Sequence, residues 1–375
     1  MTHWETHAAD LARQITHPTS RWRAAIEATP RHTFAPAWWE SNGDQWRRHA
    51  AEDDLEAAYA DASLVTRVGP LHADHAGSGA TATGRSTSSS TQPSLLLKMY
   101  RHAMLEPGMD VLDLGTGSGY GTALLCHRLG ERHVTSLDID PYLTEAADKR
   151  LRDVGLRPAL LTADATADPL PATYDRVIAS VALRPVPPRL VAALRTGGRL
   201  TAVISGVRAV LTADRLDDGR LFGRIEHATA GFMNTRSGGD YAPGAGQPGV
   251  DLEGESVGRG RFPLANPDEH WELASMLGVT HPDVEIRWWP PGNDGVARCL
   301  LWDGAGSWAR AEGAPGEIPT VHQSGPVRLW TILDDLKAQW LTDGGFPLYG
   351  AAVLVDLDGS VDLMRGRWRH KIEAA

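Results

Sequence analysis

Apolar positions near the start of the chain recur at helical spacing. Leu11, Ile15, Trp22 and Ile26 fall this way before the prolines of "PRHTFAPAWW" interrupt them, which predicts a helical N-terminal arm. Residues 68–92 carry no large apolar side chain after Leu71 and predict a long loop, a kind of segment that is uncommon unless it serves a function or is disordered. From Pro93 onward Leu95, Leu96, Met99, Tyr100 and Ala103 mark one apolar face of a helix. A regular alternation follows. "DVLDL" (110–114), "HVTSLD" (133–138), "ALLTA" (159–163), "DRVIASV" (175–181) and "GRLTAVI" (198–204) are short β-rich runs separated by helix-length segments. That order predicts an α/β fold with a mostly parallel sheet covered on both faces. "VLTADRLDDGRLFGRIEHAT" then reads as a hairpin around Asp218-Gly219 that closes the sheet with antiparallel strands.

Residues 237–260, rich in Gly, Pro and acids, read as a linker. Beyond it "VEIRWW" and "ARCLLWD" are strand-like, and Leu329, Ile332, Leu333, Leu336 and Trp340 share one helix face. "AAVLVDLDGSVDLM" is a second hairpin, around Asp358-Gly359. These elements predict a smaller α+β unit. Tryptophan marks the division, because none lies between residues 47 and 270 and eight follow, from Trp271 to Trp368. They read as core, with a peptide-binding surface as the sharper alternative.

Composition narrows the function. The chain has 375 residues, room for two domains, and a formal net charge of -10 with scattered Lys and Arg, so a nucleic-acid partner is not expected. Cys126 and Cys299 lie far apart with no metal-type spacing, usage that fits a reducing cytoplasm. The N-terminus has no apolar targeting segment and no run of about 18 apolar residues occurs, so neither export nor a membrane is expected. No metal is expected. His72 and His75 have metal-like spacing without a partner cluster and read as a solvated loop, and "DLDGSVD" lacks the final Glu of a calcium loop.

The chemistry concentrates in "VLDLGTGSGYG". Asp113 stands at a strand end, and Gly115, Thr116, Gly117 and Gly119 form the turn that opens the next helix, where main-chain N–H groups can meet a ligand closely. The Gly-x-Gly-x-Gly spacing, with an acid two residues ahead, differs from the nicotinamide fingerprint. It favours S-adenosylmethionine, which has no pyrophosphate to cradle but offers an ammonium group to an acid. Asp138, followed by Ile139, ends the second strand, where a carboxylate can accept both ribose hydroxyls. Asp164, followed by Ala165, comes after the third strand and is the candidate for the adenine amino group.

The span from about Arg21 to Met233 resembles the protein-L-isoaspartate O-methyltransferase family. "WRAAIEATPRHTFAP", "AYADASL", "STQPSLLLKM", "VLDLGTGSGYGTALL", "YDRVIAS" and "LVAALRTGGRL" occur in that family's order. The resemblance implies a Rossmann-like S-adenosylmethionine-dependent methyltransferase domain, giving expected units 1–92 (helical arm and active-site loop), 93–236 (cofactor-binding core), 237–260 (linker) and 261–375 (α+β substrate-recognition domain). It also implies that the hydroxyl run is a site: Thr91 in Thr91-Gln92-Pro93 replaces the serine of the family's Ser-x-Pro turn, with Ser88, Ser89 and Ser90 beside it. Ser180 and Arg184, in and after the fourth strand, are the candidates for binding the substrate.

Three features depart from the repair enzymes: a longer segment from Leu64 to Thr91, Arg184 where a proline is usual, and the long C-terminal continuation. With "SSSTQPS", "CHRLG" and "QSGPVRLW", the chain resembles the extended methyltransferases of ATP-grasp peptide (graspetide) maturation systems. That resemblance implies esterification of an L-aspartate in a macrocyclic precursor peptide, followed by aspartimide formation. The alternatives are a lanthipeptide precursor as substrate, repair of isoaspartyl damage, and a peptide-binding module that keeps the cofactor fold without catalysis.

Overall fold

The strand Val111–Leu114 is buried at every position, the pattern of a strand at the centre of a sheet covered on both faces. The computed structural model describes residues 3–43, 45–236, 241, 246–249, 251–267 and 269–374. Around Val111–Leu114, five parallel strands run in the order Leu194–Ile204, Tyr174–Leu183, Val111–Leu114, Val134–Asp138, Ala159–Thr162. All five alternating runs of the sequence are present. The hairpin Val210–Arg215 and Leu221–Ile225 extends the sheet antiparallel, as its Asp218-Gly219 turn predicts.

The sheet does not stop there. Ala352–Val355 pairs antiparallel with Leu221–Ile225, and Val361–Arg365 and Trp368–Ile372 follow, making ten strands. Residues from the expected C-terminal unit therefore complete the core sheet. The third sheet is a separate five-stranded antiparallel layer, whose strands include Glu285–Trp289, Ala297–Trp302 and Trp308–Gly313. The helix Leu329–Asp343 packs on it, and a single apolar cluster runs from Leu112 and Val177 in the parallel sheet to Leu301, Ala309 and Trp330. Trp302, Trp308 and Trp330 are buried, and the other five of the eight are partly so.

The expected loop at 68–92 also differs. Ser86–Ser90 is a strand, paired antiparallel with Leu64–Val68 in a six-stranded N-terminal sheet that also holds the hairpin Ala37–Ser41 and Trp46–Ala50. The strand lies against the glycine turn of the core, where a Cβ on Gly117 would stand 3.1 Å from the Ser89 carbonyl. The helical arm is confined to His3–Ile15 and Arg23–Ala28, with the short turn Arg31–Phe34. Of the expected linker, residues 237–240, 242–245 and 250 lie outside the described residues, and Ser256–Arg259 is an edge strand of the third sheet.

Candidate active site

The parallel strands change winding direction between Val111–Leu114 and Tyr174–Leu183, and at their carboxyl ends lies a cavity of about 600 Å³. In open α/β sheets this switch point is where ligands bind. Gly115, Gly117 and Gly119 all have positive φ, at 96°, 51° and 88°. A Cβ on Gly117 would stand 3.1 Å from the Ser89 carbonyl, and one on Gly115 would stand 3.0 Å from a Val181 methyl. The turn thus fits between the N-terminal strand and the fourth parallel strand only without side chains. Gly115 and Gly117 line the cavity; Gly119 does not. Gly119 begins the helix Tyr120–Leu129, and a Cβ there would meet Ala147 at 3.1 Å, so its role is helix packing.

Asp113 and Thr116 also lie away from the cavity. The Asp113 carboxylate is 2% exposed and accepts from the Thr122 hydroxyl at 2.7 Å and the Ser136 hydroxyl at 3.0 Å. Burial raises its pKa to about 6, against those two hydrogen bonds. Thr116 joins the same network through Ser136 at 2.7 Å. A group this enclosed holds the turn from beneath and does not line the cavity, where the sequence pattern expects it to meet a ligand's ammonium.

Asp138 does reach the cavity, together with Ile139. One of its oxygens accepts from the Gly117 N–H at 2.9 Å and the other from the Asp140 N–H at 3.1 Å. Burial raises its pKa, and the two N–H donors oppose the shift. Asp164 and Ala165 line the same end. Asp164 accepts from the Thr166 N–H at 2.8 Å and hydroxyl at 2.6 Å, which fixes the turn after the third strand.

Across the cavity stand Ser88, Ser89 and Thr91. The turn at Thr91 is anchored by groups that sequence reasoning did not single out. The Gln92 N–H donates to the Ser63 hydroxyl at 3.0 Å, and the Ser94 N–H donates to the Asp61 carboxylate at 2.9 Å. Both acceptors belong to "AYADASL", so the motif was visible but the contact, thirty residues along the chain, was not. Ser88 accepts from the Thr66 hydroxyl at 3.1 Å. Ser90 is 1% exposed and lies outside the cavity.

Ser180 lines the cavity with a buried hydroxyl that has no hydrogen-bond partner among the described residues. A buried donor of this kind is suited to a ligand. Arg184 lies outside this cavity and borders a neighbouring hollow that shares Asn234, Thr235 and Pro282 with it. Its guanidinium donates to the carbonyls of Ser205 (3.3 Å), Gly278 (3.1 Å) and Val279 (3.1 Å), at the end of the helix Trp271–Thr280. Carbonyls at a helix C-terminus attract a cation, so Arg184 clips this helix to the sheet.

Two further walls have no signal in the sequence. Residues 231–236 cross the cavity as a strap, held where the Ala182 N–H donates to the Met233 carbonyl at 2.8 Å and the Thr235 N–H to the Ala182 carbonyl at 3.0 Å. Arg236 reaches Asp140 at 3.5 Å, joining Arg67 (3.6 Å) and His72 (3.3 Å) around that carboxylate. Burial works against the charge of Asp140, yet these three partners hold its carboxyl far below the usual range. His72 is therefore a buried residue 3.3 Å from the Asp140 carboxylate, not a solvated loop residue; His75 is exposed. The last wall is apolar: Leu277, Pro282, Val284 and Ile286 bring the C-terminal unit to the cavity. No cluster of three metal-ligating side chains occurs among the described residues.

The donor set suits S-adenosylmethionine: a side-chain-free turn with a main-chain cradle, a buried carboxylate at the second strand end, and an unpartnered Ser180 hydroxyl. Comparison with known proteins agrees. Residues 70–232 match the family model for protein-L-isoaspartate(D-aspartate) O-methyltransferase. A protein-L-isoaspartate O-methyltransferase of Methanothermobacter thermautotrophicus is 30% identical over 183 residues, which cover 48% of this chain and 68% of that protein. Those of Ignicoccus hospitalis and Thermococcus onnurineus are 36% and 38% identical, and the matches cover 28% and 29% of this chain. The chain spans about half the length of these two relatives, 52% and 50%. A solved structure described as a protein-L-isoaspartate O-methyltransferase shares the fold over 98% of both chains, with a TM-score of 0.51 at 17% identity. The cavity's position at the switch point, its glycine turn and these likenesses lead to one conclusion: the chain belongs to the protein-L-isoaspartate O-methyltransferase family.

Proposed function

We propose that this protein is an S-adenosylmethionine-dependent carboxyl O-methyltransferase acting on an aspartate-derived carboxylate within a peptide. The observation that carries the reading is the facing of Thr91 and Ser89 toward Gly115, Gly117 and Asp138 across one cavity. Asp138 would hold the ribose hydroxyls, the glycine turn and Ser180 the polar tail, and Asp164 the adenine edge. The cofactor, when bound, supplies an electrophilic sulfonium methyl. A carboxylate is already nucleophilic at neutral pH, so the side chains need only orient it and exclude water. The Thr91 hydroxyl donates to one carboxylate oxygen and leaves the other free to attack. The product is a neutral methyl ester.

The finer reading is that the acceptor is an ordinary L-aspartate in a ribosomally made peptide macrocyclised by an ATP-grasp ligase. Its ester would then be attacked by the next backbone nitrogen, expelling methanol and closing an aspartimide. The apolar wall from Leu277 to Ile286 supports a substrate that presents more than a flexible polar chain. Repair of isoaspartyl peptides is the second reading. The names of the relatives favour it, and the fold shared over 98% of a solved structure means that the C-terminal unit does not separate the two.

Mass spectrometry with S-adenosylmethionine and a matched pair of isoaspartyl and aspartyl peptides decides between them. Methylation of the isoaspartyl peptide alone establishes repair. Turnover of neither linear peptide, with cofactor binding verified by calorimetry and methylation of a macrocyclic precursor, establishes the peptide-maturation reading.

A further inference from the structure

The ten-stranded sheet ends on Trp368–Ile372, whose inner edge pairs with Val361–Arg365 and whose outer edge meets no other strand among the described residues. An open edge is a row of unused backbone donors and acceptors, a template for another extended chain. This edge is also strongly basic. Residues 365–371, "RGRWRHK", hold Arg365, Arg367, Arg369 and Lys371, in a chain whose net charge is -10, while burial favours the neutral form of His370. Arg365, Arg367, Arg369 and Lys371 are exposed.

Hollows lie at both ends of the strand. One of about 500 Å³ sits beside Arg365, Gly366 and Trp368. The other, about 690 Å³, is bordered by His370, Lys371, Ile372 and Glu373. This second hollow shares Asn234, Thr235 and Pro282 with the cavity that holds Thr91 and Asp138. A chain laid along the outer edge would thus run from Trp368 past Ile372 to the mouth of the active site.

We propose that the outer edge of Trp368–Ile372 binds an extended, acidic segment of the peptide substrate as an added β-strand, which delivers the acceptor carboxylate to the cavity. This deepens the methyltransferase reading and rests on it. Backbone hydrogen bonds set the register, and the basic side chains select the charge. Five residues at about 3.3 Å each give a paired length of roughly 16 Å. Local acids limit the strip: Glu373 is 3.3 Å from Lys371, Asp362 stands opposite Lys371 on the neighbouring strand, Asp358 also acts on Lys371, and Asp283 borders the second hollow. An acidic segment competes with them for Lys371, while Arg367 and Arg369 provide most of the selection.

The test uses the full chain and a fluorescein-labelled peptide of about ten residues, rich in Glu and Thr, followed by anisotropy. Two controls share its length: one with alternate backbone nitrogens methylated, and one with Lys in place of Glu. The acidic peptide is expected to bind, with both controls weaker by about tenfold or more. The double variant Arg367→Glu, Arg369→Glu is expected to show the same loss with cofactor affinity and melting temperature unchanged. Equal affinity for the N-methylated peptide, or full affinity in a folded double variant, overturns the proposal. If that variant does not fold, the N-methylated control on the unaltered protein decides. Edge-dependent binding without methyl transfer to any peptide supports the docking edge and overturns the methyltransferase reading; methyl transfer without edge-dependent binding overturns the docking edge alone.

Discussion

Asp113 stands two residues before the first glycine, yet its work is structural. Its carboxyl is raised to about 6 from the usual 3.8, chiefly by burial. Such an acid binds its proton more tightly in the folded chain than in the unfolded one, so its contribution to stability is largest below about pH 4 and is lost as pH rises through 6. That loss amounts to roughly 3 kcal/mol. Asp113→Asn is therefore expected to flatten the dependence of unfolding free energy on pH between 4 and 8 by up to that amount, as measured by urea titration. Thr91 tests the chemistry. Thr91→Val removes a donor without changing side-chain shape much, and turnover should fall about 10- to 100-fold while cofactor affinity holds. A rate equal to that of the unaltered protein would remove the role given to Thr91. Residue type and spacing made Gly115, Gly117 and Asp138 legible in the sequence. They could not separate cavity-facing groups from supporting ones such as Asp113 and Gly119, because that depends on which side of a turn is enclosed.

The hydroxyl run Ser86–Ser90 illustrates why some elements escape a reading along the chain. Its sequence carries no alternation of apolar and polar residues, so nothing local marks a strand; its partner Leu64–Val68 and the glycine turn beneath it define it. The central parallel strands, by contrast, such as Val111–Leu114 and Val134–Asp138, are buried on both faces, and their apolar runs identify them without tertiary knowledge. Arg184 belongs to this scale too. Its sequence position suggests a contact for the substrate; three backbone carbonyls accept from its guanidinium and hold the helix Trp271–Thr280 to the sheet, beside the hollow that Arg184 also borders. Arg184→Ala is expected to lower stability by about 1–3 kcal/mol, visible as a drop in melting temperature, because it leaves buried carbonyls without a donor. A variant with unaltered stability and weakened peptide affinity would restore the substrate role.

At the scale of the molecule, the active-site cavity is assembled by three parts of the chain: the N-terminal sheet supplies Thr91, the parallel sheet supplies the glycine turn and Asp138, and the C-terminal unit supplies the apolar wall. Ile286→Asp places a negative charge on that wall. It should raise KM for an acidic peptide about tenfold while kcat and cofactor affinity stay within error, and equal KM values would show that the wall does not meet the substrate. The order of elements foretold two units, but the return of residues 352–372 to the core sheet could not be read from order alone. That return has a consequence for how the protein is made. The edge of Leu221–Ile225 has no partner until Ala352–Val355 leaves the ribosome, an interval on the order of ten seconds at usual rates of synthesis. During that interval the nascent core carries a bare hydrophobic margin, and chaperones that shield such margins have a defined period in which to act.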